Sequence, residues 1–322
     1  MRVVFMGTPE FAVPSLEALA ATPLGEVVLV VSQPDRPARR GRKVTPPPVA
    51  RRARELGLPI FQPETLRCED AFSLLRDQHA DLFVVVAYGQ ILRQNVLDLP
   101  RLGCLNVHAS LLPRWRGAAP IQWAVASGDA VTGVSLMQME RGLDTGPVLA
   151  MAPTMIRDGE TAGELHDRLS LLGADVLVNA LTPLSRGALT PEPQCNDRST
   201  YARMLGVGDR RIDFGRTASR VVWHIHGMTP WPGACVTIGG ETLRVLRARV
   251  AADVPKDSSC APGRILAASP EEGLIVACGE GTAVELVEIQ RPGRRPVSAR
   301  DCLHGFSIAP GQDTVDAERT CP

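Results

Sequence analysis

The sequence predicts a doubly wound α/β domain with a mainly parallel sheet, followed by a smaller all-β domain. Three observations carry this. Apolar runs such as Leu82-Phe83-Val84-Val85-Val86 are continuous rather than alternating, as in strands buried on both faces of a parallel sheet. Helix-length segments separate these runs across the first half, the alternation of a strand–helix–strand fold. In the last third the pattern changes to short β segments broken by Gly and Pro turns, which suits a small antiparallel barrel of the OB type. A chain of 322 residues exceeds one ordinary core. The expected division is residues 1–189, a polar linker over 190–207 and a second domain over 208–322.

Element by element, residues 2–6, 27–32, 82–87 and 105–109 read as strands, with helices over 14–21, 49–56 and 71–78 between them. Residues 132–139 and 148–156 read as two more strands, and 161–184 as a long helix. Pro191, Pro193, Asn196 and Asp197 give the linker its irregular character. A helix over 217–227 follows, stopped by Thr229-Pro230-Trp231-Pro232-Gly233. Five short strands complete the chain: 234–238, 243–250, 263–268, 274–278 and 284–290. The last dozen residues carry no pattern and are expected to be disordered.

Apolar content of 44% and charged content of 22% are those of a soluble globular protein. The opening Met1-Arg2-Val3-Val4-Phe5-Met6-Gly7 reads as a strand rather than a secretory signal, and no apolar run reaches membrane-spanning length. A cytoplasmic protein is expected. Its eight cysteines are scattered without a Cys-x-x-Cys pair, so neither a zinc site nor a disulfide framework is expected. Gly7-Thr8-Pro9-Glu10-Phe11 at the first turn is not the Gly-x-Gly-x-x-Gly of a dinucleotide site. His224 and His226 share a predicted helix but not a helical face, and read as packing or surface residues rather than metal ligands.

Basic and acidic residues balance at 35 each, yet Arg36, Arg39, Arg40, Arg42, Lys43, Arg51, Arg52 and Arg54 follow one another with no acidic residue between them. A solvated loop with a basic helix face explains such a run. Pro37, Gly41, Pro46, Pro47 and Pro48 keep much of it out of regular structure, which equally suits an exposed loop touching the phosphates of a large polyanion.

The chemistry concentrates in Leu105-Asn106-Val107-His108-Ala109-Ser110-Leu111-Leu112-Pro113 and in Gly142-Leu143-Asp144-Thr145-Gly146. In a strand, positions i and i+2 share a face, so Asn106 and His108 project side by side at the end of a buried strand. By the switch-point rule that is where a doubly wound domain holds its ligand. An amide beside an imidazole can bind and polarise a carbonyl oxygen, and Asp144 on a glycine-flanked turn can fix the imidazole's protonation state. This points to acyl transfer.

These motifs, with Phe5-Met6-Gly7-Thr8-Pro9-Glu10-Phe11-Ala12, Gln33-Pro34-Asp35-Arg36-Pro37, Arg114-Trp115-Arg116-Gly117-Ala118-Ala119-Pro120-Ile121 and Pro230-Trp231-Pro232-Gly233-Ala234, closely resemble the methionyl-tRNA formyltransferases. The resemblance runs from Arg2 nearly to Ile308; Ile212-Asp213-Phe214 departs from the family's Ile-Asp-Trp. It implies 10-formyltetrahydrofolate as formyl donor and the α-amino group of initiator methionyl-tRNA as acceptor, without a metal. Asn106, His108 and Asp144 would be catalytic; Ser110, Leu111, Leu112 and Pro113 would line the folate site; Arg40, Arg42 and Lys43 would meet the tRNA. A monomer working away from membranes is the accompanying expectation. Two alternatives stay open: a folate-dependent formyltransferase acting on a small amine or amino sugar, and a catalytically idle RNA-binding module.

Overall fold

The computed structural model describes residues 1–37, 44–252 and 260–314. The chain divides into two compact units: Met1–Ala118 with Val131–Met155 and His166–Ala202, and Ala119–Ala130 with Ile156–Leu165 and Arg203–Pro322.

In the first unit β1 (Arg2–Gly7), α1 (Val13–Ala21), β2 (Glu26–Val31), the two-residue strands β3 (Arg36–Pro37) and β4 (Val44–Thr45), α2 (Pro48–Glu55), β5 (Ile60–Phe61), α3 (Glu69–Arg76) and β6 (Leu82–Val86) follow in order. Then come α4 (Gln94–Leu97), β7 (Cys104–His108) and β8 (Arg116–Gly117). After α5 (Pro120–Ala126), which falls in the second unit, the chain forms β9 (Val131–Gln138), β10 (Val148–Met155), α6 (Ala162–Ser185) and the short β11 (Tyr201–Ala202). The seven-stranded sheet has the order β10-β9-β7-β6-β1-β2-β5. Strands β5, β2, β1, β6 and β7 run parallel, while β9 and β10 are antiparallel additions at one edge. The mainly parallel, doubly wound sheet is therefore as expected. Its continuous apolar strands are the buried ones: Val3, Val4, Val84 and Val86 have no exposure at all.

Helix α2 explains half of the basic run. Pro48 opens the helix at a position where its missing N–H costs nothing, and Val49, Ala50 and Ala53 face inward. On the outer face Arg51 meets Glu10 at 3.0 Å, Arg52 meets Glu17 at 2.7 Å, and Arg54 lies 3.6 Å from Asp35. These arginines are thus ion-paired within the unit, in exposed pairs that contribute little stability.

In the second unit, α7 (Ala218–Gly227) precedes β12 (Ala234–Ile238), β13 (Glu241–Val250), β14 (Ile265–Ser269), β15 (Gly273–Ala277), β16 (Ala283–Gln290), β17 (Val297–Ser298) and α8 (Ala299–Leu303). The strands form an antiparallel sheet in the order β12-β13-β16-β15-β14, with β17 beside β16. Val221 and Ile225 of α7 join Leu243, Val245, Val276, Leu286 and Ile289 in one apolar core. His226 is buried among them, its Nε2 accepting the Ala248 N–H at 3.3 Å, which is the first of the two roles expected of it. Among the described residues no helix is long and apolar enough to cross a membrane.

Candidate active site

Strand β7 decides what can face the site. Val107 points at α6, packing where a Cβ on Gly173 would come within 2.8 Å of its methyl group; only glycine admits this approach. Asn106 and His108, alternating with it, face the other way. The antiparallel neighbour β9 sets Met137 opposite Asn106 and Ser135 opposite His108, so these four residues share one face. Ser135, polar and buried between Val134 and Leu136 of β9 (Val131–Gln138), was the readable sign of a functional face. It bridges: its hydroxyl donates to the Ser110 carbonyl at 2.7 Å and accepts the Leu112 N–H at 3.0 Å, fixing the turn after β7.

Asp144 does converge on His108. Its Oδ2 lies 3.3 Å from His108 Nε2 and accepts the Gly117 N–H at 2.8 Å. The residue sits at φ +51°, a left-handed conformation that aspartate tolerates better than most side chains. Gly117, at φ +116°, is held where a Cβ would lie 2.7 Å from both the Ala202 carbonyl and the Tyr201 ring, so glycine is required there. Burial alone would push the Asp144 carboxyl up. A protonated His108, the Gly117 N–H and the charge of Arg116 outweigh that and hold it below the usual carboxylate range.

The hydrogen bonds of Ser110 place one proton of His108. Ser110 Oγ lies 2.6 Å from the Arg114 carbonyl, which can only accept, so the single serine proton goes there. Ser110 Oγ is also 3.0 Å from His108 Nδ1 and must therefore accept from it. The proton of a neutral imidazole sits on Nδ1, and Nε2 is bare. Nε2 is buried and makes no hydrogen bond to the described residues, with Asp144 Oδ2 standing 3.3 Å away. The ring is thus a base at Nε2, and a donor there only once protonated, when the carboxylate at 3.3 Å becomes its counter-ion.

Asn106 is the other free group. It is only partly buried, and its side-chain amide makes no hydrogen bond to the described residues. Of the expected folate-lining residues, Ser110 and Leu112 are buried; Ser110 has its hydroxyl committed to Arg114 and His108, and Leu112 packs with Met137 and Val148. Leu111 and Pro113 remain partly exposed. The Ser110 hydroxyl thus holds the histidine ring. Arg40, Arg42 and Lys43 lie outside the described residues.

Sequence reasoning missed a whole layer behind Asp144. Arg116 is buried, with Nε donating to Gln194 Oε1 and Nη2 to Asn196 Oδ1, each at 3.0 Å. The Trp115 N–H donates to Thr200 Oγ1 at 2.8 Å, and β8 pairs with β11. All of these partners belong to the stretch read as a plain linker.

Residues 1–181 match the formyl transferase family and residues 205–307 its C-terminal domain. The chain is 52% identical to the methionyl-tRNA formyltransferase of Parvibaculum lavamentivorans, over 98% of this chain and 100% of that one. It is also 52% identical to that of Paracoccus denitrificans, over 96% and 98%. It belongs to the methionyl-tRNA formyltransferase family. The fold is also that of an N-formyltransferase from Helicobacter canadensis solved with folinic acid and dTDP-3-aminofucose, with a TM-score of 0.65 at 15% identity, covering 90% of this chain and 98% of that one.

Proposed function

We propose that this protein transfers the formyl group of 10-formyltetrahydrofolate to the α-amino group of methionine carried by initiator tRNA. The observation that carries the chemistry is a free amide, Asn106, on the same strand face as a buried His108 whose Nε2 is bare and opposed by Asp144. Family membership supplies the acceptor.

The residues divide the work by what each can donate or accept. As the amine attacks the formyl carbon, a C–N bond forms and the carbonyl oxygen becomes an oxyanion. Asn106 donates its N–H to that oxygen, a preorganised contact typically worth about 3–4 kcal/mol. His108 takes a proton from the attacking amine at Nε2, and Asp144 stabilises the imidazolium. The protonated ring then donates to the oxyanion and delivers its proton toward the folate nitrogen, whose bond to carbon breaks. No covalent enzyme intermediate is needed. Leu111 and Pro113 line the donor site; Arg40, Arg42 and Lys43 meet the tRNA, with further backbone contacts from the domain over 208–322. The reading carries with it a cytoplasmic monomer.

Formyl transfer to methionine-charged initiator tRNA, with free methionine and uncharged tRNA as controls, tests the proposal. Transfer to the charged tRNA alone is expected. Binding of tRNA without transfer would indicate an idle binding module, and absence of both a small-amine acceptor.

A further inference from the structure

Asp144 stands on an irregular turn at a sparsely populated backbone conformation, so something outside the turn has to hold it. The turn is gripped twice. At its side-chain end the Gly117 N–H holds Oδ2 at 2.8 Å. At its main-chain end Gln194 Nε2 donates to the Asp144 carbonyl at 2.9 Å and to the Gly146 carbonyl at 2.7 Å. The same glutamine accepts from Arg116 Nε through Oε1 at 3.0 Å. Both its donors and its acceptor therefore join the Asp144 turn to the loop that supplies the Gly117 N–H. Arg116, buried and thus in need of acceptors, is completed by Asn196 Oδ1 at 3.0 Å, while its own N–H donates to the Thr200 carbonyl at 2.9 Å. Reciprocal backbone bonds between Val148 and Glu192 at 2.8 Å anchor the segment just before the glutamine.

We propose that Gln194, working with the buried guanidinium of Arg116, is a positioning residue that sets Asp144 against His108, making the segment that follows Glu192 a working part of the active site. The inference rests on the reading that Asp144 serves formyl transfer. Gln194 touches no reacting atom; it acts by where it holds the carboxylate. A displacement of about 1 Å in such a group costs about 100-fold in rate.

Two variants separate positioning from packing. Gln194→Met keeps the length and removes all three hydrogen bonds without adding charge. Gln194→Glu keeps an acceptor for Arg116 and turns the donors to the turn into a carboxylate oxygen that repels both carbonyls, so it remains informative should the methionine variant fold poorly. Each is compared with the unaltered protein for formyl transfer, for thermal stability and, in the methionine variant, for the titration of a 13C-labelled Asp144 carboxyl. The expected result is kcat lower by about 100-fold in both, KM for both substrates unchanged, and the Asp144 midpoint moved up toward the ordinary carboxylate value. A lowered Tm with kcat per folded molecule and the Asp144 titration unchanged would overturn the proposal. If the unaltered protein transfers no formyl group, the proposed reaction fails; the titration, read without turnover, still decides the positioning role.

Discussion

Replacing Ser110 with alanine is the sharpest test of the proton count at the active site. The substitution removes the one atom that accepts from His108 Nδ1 and donates to the Arg114 carbonyl, at 3.0 and 2.6 Å respectively. His108 is 6% exposed, so water does not readily replace the lost acceptor. An unpaired buried polar group costs about 1–3 kcal/mol, and two are left here. The imidazole has one escape: its proton can move to Nε2, where the Asp144 carboxylate waits at 3.3 Å. That relieves part of the stability cost and removes the base. The expected outcome is a loss of stability of about 1–3 kcal/mol, with kcat down by the factor typical of a general base, about 10²- to 10⁴-fold. Substrate KM values stay where they were. Nitrogen-15 NMR of labelled histidine reads the tautomer directly: Nδ1–H in the unaltered protein, Nε2–H in Ser110→Ala. A neutral Nε2–H tautomer in the unaltered protein would refute the reasoning, as would a variant that keeps both full turnover and full stability.

Other perturbations report on the remaining parts. Asn106→Ala removes a single oxyanion donor and is expected to lower kcat by about 10²- to 10³-fold with tRNA affinity kept; retained turnover in a rapid-quench assay would sink the assignment. Reversing Arg40 and Arg42 to glutamate should weaken tRNA use and flatten its salt dependence by about one unit of log–log slope per lost contact, leaving donor KM unchanged; a change in donor KM alone would place the basic run elsewhere. Stability should fall in two stages on acidification, followed by calorimetry. Burial, with the charges of Arg216 and Arg247 adding to it, lowers the pKa of His224 and His226 from 6.5, so the unfolded chain binds protons first and stability drops as pH falls below that value. Glu164 is opposed by burial, but the Thr161 N–H, Arg247 and the Thr161 hydroxyl take its pKa from 4.5 to about 2, so its contribution is complete above 4.5 and lost as pH falls toward 2. A Tm that is flat from pH 7.5 to 5 would contradict the histidine stage.

What was legible in the sequence followed from burial. The parallel strands could be read because a strand covered on both faces has to be apolar throughout, as Val84, Val85 and Val86 are. Asn106 and His108 could be read because two polar residues at i and i+2 violate that rule on one face only. Helix α5 escaped notice because it is short and begins at Pro120, a residue that reads as a breaker unless it stands at the first helical position. Strands β8 and β11 are two residues each and leave no periodicity. The convergence of Asp144 on His108 depends on a left-handed backbone conformation and a single N–H from Gly117, neither of which has a sequence signature. Gln194, Asn196 and Thr200 were hidden for a different reason: polar residues following a pair of prolines look like solvated linker whether they face water or the backbone of a neighbouring loop.

The proton count also limits how the active site can work. Ser110 ties Nδ1 to Arg114, Gly117 occupies one lobe of Asp144 Oδ2, and Ser135 closes the turn between them, so each of these protons has a fixed acceptor inside the protein. The remaining exchangeable valence is His108 Nε2, buried and facing the carboxylate. A single site of that kind can take the amine proton and return it, but it cannot hold a hydrogen bond to the formyl oxygen before it has taken that proton. In the proposed reaction a neutral ring therefore leaves Asn106 to polarise the carbonyl alone at the start, with His108 joining once the bond to nitrogen is forming. The order predicts that loss of Asn106 weakens the first step and loss of His108 the later ones, which distinguishes two residues that stand side by side on one strand.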